Sequence, residues 1–146
     1  MNGVQRAVSC FDEGFSCSQA VLSAFGPQLG LERETALRVA AGFGGGMGHR
    51  GETCGAVTGA FMVIGLKCGR SAADDQEAKK TAYTLVNEFV GEFESRNGSV
   101  ICRELLGCDI GTTEGLELTR QMNLRTTRCA GFVRDAGEII EQILEF

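Results

Sequence analysis

The stretch Gly42–Leu66, GFGGGMGHRGETCGAVTGAFMVIGL, constrains the fold more than any other part of the chain. Six of the ten residues from Gly42 to Gly51 are glycine, so the backbone there can take φ > 0 or pass close against another segment. Thr53 is placed to cap a helix, with Cys54 in its first turn. From Ala56 to Leu66 only Thr58 is clearly polar. A helix that is apolar on nearly every side is one surrounded by other helices. The stretch therefore predicts a bundle around a central apolar helix over about residues 53–67. In that helix Gly55 and Gly59, with Ala56 and Ala60, form small-residue rows that let another helix approach closely.

The remaining segments supply the walls. Val4, Ala7, Val8 and Phe11 recur at helical spacing, as do Ala20, Val21, Ala24 and Phe25. The second of these segments opens with Ser16 and Gln19, a capping-box pair, and stops at Gly26-Pro27. Glu32 to Ala41 reads as a third helix, with Ala36, Leu37, Ala40 and Ala41 on its apolar face. Asp74 to Arg96 is the longest candidate, its stripe made by Ala78, Ala82, Leu85, Val86, Phe89, Val90 and Phe93; Asn97-Gly98 is its stop. Ser99 then opens a short helix ending at Gly107. Thr112 or Thr113 caps another, and Thr126 or Thr127 starts a last one carrying Phe132, Val133, Ala136, Ile139, Ile140, Ile143 and Leu144. No segment alternates with period two. The expectation is an all-α fold in one domain, residues 1–146.

The totals narrow the function. A formal net charge of -5 argues against nucleic acid, whose binding is led by basic patches. The longest apolar run falls short of the roughly 18 residues that suggest a membrane span, and the start, MNGVQRAVSC, lacks a signal-peptide layout. These features predict a cytoplasmic protein that neither binds nucleic acid nor inserts in a membrane; the small-residue rows permit a homodimer. Seven cysteines, at 10, 17, 54, 68, 102, 108 and 129, form an odd number outside any secretory context. Such a set points to metal or redox chemistry more than to structural bridges.

On this map Cys17, Cys54, Cys102 and Cys129 each fall in the first turn of an expected helix. Unpaired N–H groups and the helix dipole favour negative charge there. A thiol in that position tends to have a lowered pKa, and the thiolate is the form that attacks or binds metal. If the helices converge, four thiolates could ligate a metal or cluster, or cycle between dithiol and disulfide. The competing reading is packing, because free cysteine is among the most buried residue types. Cys10, Cys68 and Cys108 read as packing or incidental, with Cys108 a candidate resolving thiol near Cys102. Residues 46–51, GMGHRG, spell GxGxxG but follow a helix-type segment, without the strand that a dinucleotide site needs. His49, the only histidine, reads as an exposed loop residue, with proton donation or metal ligation beside Cys54 as the alternative. Arg50 is placed to lower the Cys54 pKa, and Glu52 to oppose it or accept a proton.

Cys17, CGAVTG at 54–59, Cys102 and Cys129 together resemble the redox-active family named for a C…CGAxxG…C…C arrangement, also written C_GCAxxG_C_C. The resemblance runs from SCSQAVL at 16–22 through the glycine loop and SVICRELLG at 99–107 to the last helix. The CGAxxG spelling is met. GCAxxG is not, since Thr53 precedes Cys54 and Gly55 follows it. Members of the family look related to the non-haem part of split-Soret cytochromes, which bind haem and an iron–sulfur centre. With no CxxCH in the chain, the resemblance implies no covalent haem. It does imply that Cys17, Cys54, Cys102 and Cys129 act together, as catalytic thiols or as ligands of an iron–sulfur cluster or zinc, with a redox partner. Two alternatives stand beside the metal centre: metal-free thiol–disulfide exchange with Cys54 attacking, and a non-catalytic helical binding or structural module whose cysteines only pack.

Overall fold

A computed structural model describes residues 1–146, and all of its regular structure is helical. The one extended contact is an isolated antiparallel bridge between Thr53 and Ile101. The elements are α1 (Gly3–Asp12), α2 (Cys17–Phe25), α3 (Arg33–Ala40), α4 (Gly55–Cys68), α5 (Gln76–Asn97), α6 (Cys102–Leu106), α7 (Thr113–Gln121) and α8 (Ala130–Leu144). No helix is long and apolar enough to cross a membrane.

Local chemistry sets the helix ends. Ser16 accepts from the Gln19 N–H, and the Gln19 side chain reaches back to the Ser16 backbone, so the capping box that opens α2 is complete. Asp75 caps α5 by accepting from the Ala78 N–H at 3.1 Å. Gly98 ends α5 at φ 87, a left-handed conformation that costs glycine little. Thr112 accepts from the Gly115 N–H and opens α7.

Packing follows the small-residue row read in the sequence. A Cβ added at Gly59 would lie 3.0 Å from both the Ser18 carbonyl oxygen and Val21 Cβ; one at Gly55 would lie 3.0 Å from the Ser18 nitrogen and 3.2 Å from Cys17 Cβ. The backbones of α2 and α4 therefore meet closely at these two glycines. Phe61, Phe89, Phe93 and Phe132 form a ladder with centroid separations of 6.1, 5.8 and 6.1 Å, joining α4 to α5 and α5 to α8. Such pairs add to the hydrophobic gain of burial. The buried face of α8 is Phe132, Val133, Ala136, Gly137, Ile139, Ile140 and Leu144, at helical spacing.

Three helix starts differ from expectation. Thr53 does not cap α4: it sits in the bridge to Ile101, and Cys54 occupies the N-cap position. The Cys54 N–H donates to the Val100 carbonyl at 2.8 Å, and the Cys102 N–H to the Glu52 carbonyl at 2.6 Å, which holds residues 52–54 extended. Ser99 likewise stays outside α6, donating to Glu104 at 2.6 Å and accepting from the Ile101 N–H. The third difference is at the last helical segment, which begins at Leu124 and passes through a π turn, Arg125–Cys129, into α8. Thr127 donates back to the Asn123 carbonyl at 3.0 Å, as a hydroxyl inside a helix does, and does not cap. Burial of α4 is also uneven: Gly55–Ala60, Val63 and Ile64 are buried, whereas Gly65 and Leu66 are exposed.

Replacing Gly59 by valine should drive α2 and α4 apart. The expected loss is about 1–3 kcal/mol of unfolding free energy, read as a lower midpoint in urea; an unchanged midpoint would mean the two backbones do not touch there.

Candidate functional site

Cys17, Cys54, Cys102 and Cys129 all line one cavity of about 550 Å3. Three devices bring them there. Cys17 is the first residue of α2, set by the Ser16 cap. Cys54 and Cys102 flank the Thr53–Ile101 bridge, whose hydrogen bonds fix both at their helix starts. Cys129 closes the π turn, a geometry frequent at functional sites. It is thus not in the first turn of its helical segment, since that segment starts five residues earlier.

The glycine loop walls one side. Gly45, Gly46, Gly48 and Gly51 all take positive φ, as do Met47 and His49. A Cβ on Gly46 would stand 2.7 Å from Cys102 Cβ and 2.8 Å from the Glu52 nitrogen, so only glycine lets the loop lie against Cys102. His49 is exposed at the cavity edge and also lines an adjoining polar cleft with Arg50, Glu52 and Asp109.

All seven cysteines are free thiols, and their environments divide the cavity set in two. Cys54 and Cys102 are buried; Cys17 and Cys129 are half-buried. Burial pushes the Cys54 thiol up to about 11, against the opposing pull of the Ala56 and Val57 N–H groups. Cys102 is pushed up to about 12, first by burial and then by Cys54, Cys129, Cys108 and Asp109. The first-turn N–H groups therefore act on Cys54 as expected in sign, but desolvation outweighs them. The half-buried pair behaves differently. Interaction with Cys129 and then burial raise Cys17 well above its ordinary value, while interaction with Cys17 holds Cys129 below its own. Arg125 favours the Cys129 thiolate further.

Arg125 is the functional residue that the sequence reading missed. Its guanidinium donates to the Phe11 and Phe15 carbonyls at 2.6 and 2.9 Å and lies 3.8 Å over the Phe11 ring. The available signal was a cation four residues before Cys129, on one helix face. Arg50 is not among the groups that shift Cys54, which are burial, the Ala56 and Val57 N–H groups and Cys129. Glu52 pairs with Arg103 at 3.5 Å. Cys10 and Cys68 do not line the cavity; Cys10 is buried with its sulfur 3.4 Å from Ser23 Oγ. Cys108 acts electrostatically on Cys102 and lies 3.4 Å from Thr119 Oγ1.

No group of three or more His, Cys, Asp or Glu side chains is gathered closely enough to hold one metal ion. The four thiols surround a space without forming a ready-made tetrahedral set for a single zinc, whose Zn–S bonds are about 2.3 Å.

Fold and site together define an all-α domain with four cysteines around one cavity. The chain belongs to the family described as "Putative redox-active protein (C_GCAxxG_C_C)", whose model matches residues 15–143. Neither the curated proteins nor the solved structures compared with the chain gave a match.

The pKa directions carry a pH signature. Near pH 7, iodoacetamide should label Cys129 before Cys17, Cys54 and Cys102, the order being read by peptide mass mapping; Arg125→Gln or Cys17→Ala should move the Cys129 labelling profile to higher pH. Cys54 and Cys102 also tie stability to pH: their folded values lie above the unfolded one, so the unfolded chain loses protons first. Their contribution is complete below about pH 9 and is lost as pH rises towards 11–12. Urea midpoints should fall across that window less in a Cys54→Ala/Cys102→Ala variant than in the parent.

Proposed function

We propose that this chain is a thiol–disulfide redox protein whose working pair is Cys17 and Cys129. The observation that carries the reading is the pair itself: two half-buried thiols on the wall of one cavity that also holds an anchored guanidinium, with acidities shifted in opposite senses by their interaction. The thiolate is the attacking form in exchange, so the nucleophile falls on Cys129 and not on Cys54, whose burial keeps it protonated.

In this reading the Cys129 thiolate attacks one sulfur of a substrate disulfide. A Cys129–substrate bond forms, the substrate S–S bond breaks, and the departing thiolate takes the Cys17 proton. Cys17 then attacks the Cys129 sulfur and releases the second substrate thiolate. The substrate gains two electrons, and Cys17–Cys129 is left as a disulfide for a partner dithiol to reduce.

Hydroxyethyl disulfide tests this. A Cys17–Cys129 bridge should form, seen by non-reducing peptide mapping; Cys17→Ser should trap a mixed disulfide on Cys129, and Cys129→Ser should abolish exchange. A bridge confined to other cysteines, or no exchange at all, would refute the reading and favour a helical module with packed cysteines.

A second reading is supported by a separate observation, that all four family cysteines line one cavity larger than a single ion requires. There Cys17, Cys54, Cys102 and Cys129 would hold an iron–sulfur cluster, which supplies one-electron chemistry when bound. Ligation requires thiolates and would release protons from Cys54 and Cys102. Protein purified without oxygen should then contain iron and acid-labile sulfide, both lost with any of the four cysteines. Metal-free protein with four titratable thiols excludes the cluster.

A further inference from the structure

We propose that the four-thiol cavity is itself the substrate pocket, and that it takes a small, largely apolar disulfide bearing a carboxylate in preference to cationic or protein disulfides. This deepens the thiol–disulfide reading above and rests on it. Size is the first support. A cavity of about 550 Å3 lies within the roughly 300–1,000 Å3 of small-molecule sites. The reactive pair stands on its wall and not on a protruding surface, which disfavours a disulfide held in a folded protein.

Wall chemistry is the second. Phe11, Leu105, Leu106, Ile110, Leu116 and Phe132 line the space with carbon. Such walls reward aromatic or aliphatic bulk and leave polar groups unpaired.

Charge is the third. No aspartate or glutamate lines the cavity, and Arg125 is its one permanently charged wall residue. Arg125 forms no ion pair with any carboxylate. Its two bonds to the Phe11 and Phe15 carbonyls, with the Phe11 ring beneath it, fix the guanidinium in place. A fixed cation beside apolar walls attracts an anion more strongly than the same cation in water; the Cys129 thiolate that Arg125 also favours is consumed as the mixed disulfide forms, which leaves that charge to the substrate carboxylate. The chemical step is the exchange set out above: the bound disulfide accepts two electrons and leaves as two thiols, and Cys17–Cys129 becomes the disulfide.

The test measures reaction rates at Cys129 with three disulfides: 5,5′-dithiobis(2-nitrobenzoate), which is aromatic and anionic; cystamine, which is cationic; and insulin as a protein disulfide. Each rate is divided by that of free 2-mercaptoethanol with the same compound, which removes intrinsic reactivity. The anionic aromatic disulfide should keep an advantage of about tenfold or more over both others. Leu116→Trp, or the milder Leu116→Phe if the first misfolds, should erase the advantage by filling the cavity, with circular dichroism and the urea midpoint showing that the variant is folded. Equal normalised rates, or insulin reacting as fast as the aromatic compound, would overturn the pocket and leave the Cys17–Cys129 pair intact. Inertness of Cys129 to all three would instead overturn the thiol–disulfide reading, and this proposal with it.

Discussion

The close crossing of α2 and α4 is the contact on which the rest of the molecule depends. Gly55 and Gly59 let the α2 backbone sit where a side chain would otherwise stand, at 3.0 Å from an added Cβ. That approach sets the first residue of α2 beside the first turn of α4, and so brings Cys17 towards Cys54. A second backbone contact, the bridge between Thr53 and Ile101, adds Cys102. The third is the set of bonds from Arg125 to the Phe11 and Phe15 carbonyls, which ties the π turn carrying Cys129 to the end of α1. Cys17, Cys54 and Cys102 are positioned by backbone contacts and Cys129 by the Arg125 side chain, and none by another thiol.

Two forces then compete at each sulfur. Helix starts offer N–H groups that favour thiolate, and burial favours thiol. At Cys54 the N–H groups of Ala56 and Val57 are present and still lose to desolvation. At Cys129 the balance tips the other way, because a neighbouring S–H and a guanidinium are added where burial is incomplete. One cavity thereby holds two kinds of thiol: a protonated buried pair, and an outer pair able to share one negative charge.

Much of the fold was legible in the sequence because its signals are local. The Ser16–Gln19 box, the Asn97-Gly98 stop, the Thr112 cap and the stripes of α5 and α8 all stand as read. Where reading failed, the cause was a partner distant in sequence. Thr53 has good capping chemistry, but the Ile101 strand contact claims its backbone. Thr127 is likewise a good cap residue, yet the helix starts earlier because Arg125 is anchored to α1. The four thiols were legible as a set from the family pattern; of their expected shared placement, Cys17 and Cys102 begin their helices, whereas Cys54 is an N-cap and Cys129 closes the π turn. Their division into buried and half-buried pairs was not, because burial depends on which helix covers which. Arg125 escaped notice for the same reason, its role arising from carbonyls more than a hundred residues away in sequence.

The account's central claim is that folding gathers Cys17 and Cys129 into one working pair on a shared cavity. Phenylarsine oxide, which bridges two thiols only when they are close in space, tests that claim on the folded, reduced protein. One equivalent should protect Cys17 and Cys129 together from N-ethylmaleimide while leaving the half-buried Cys68 open to labelling. Protection of only one of the two, or of neither, would contradict the account.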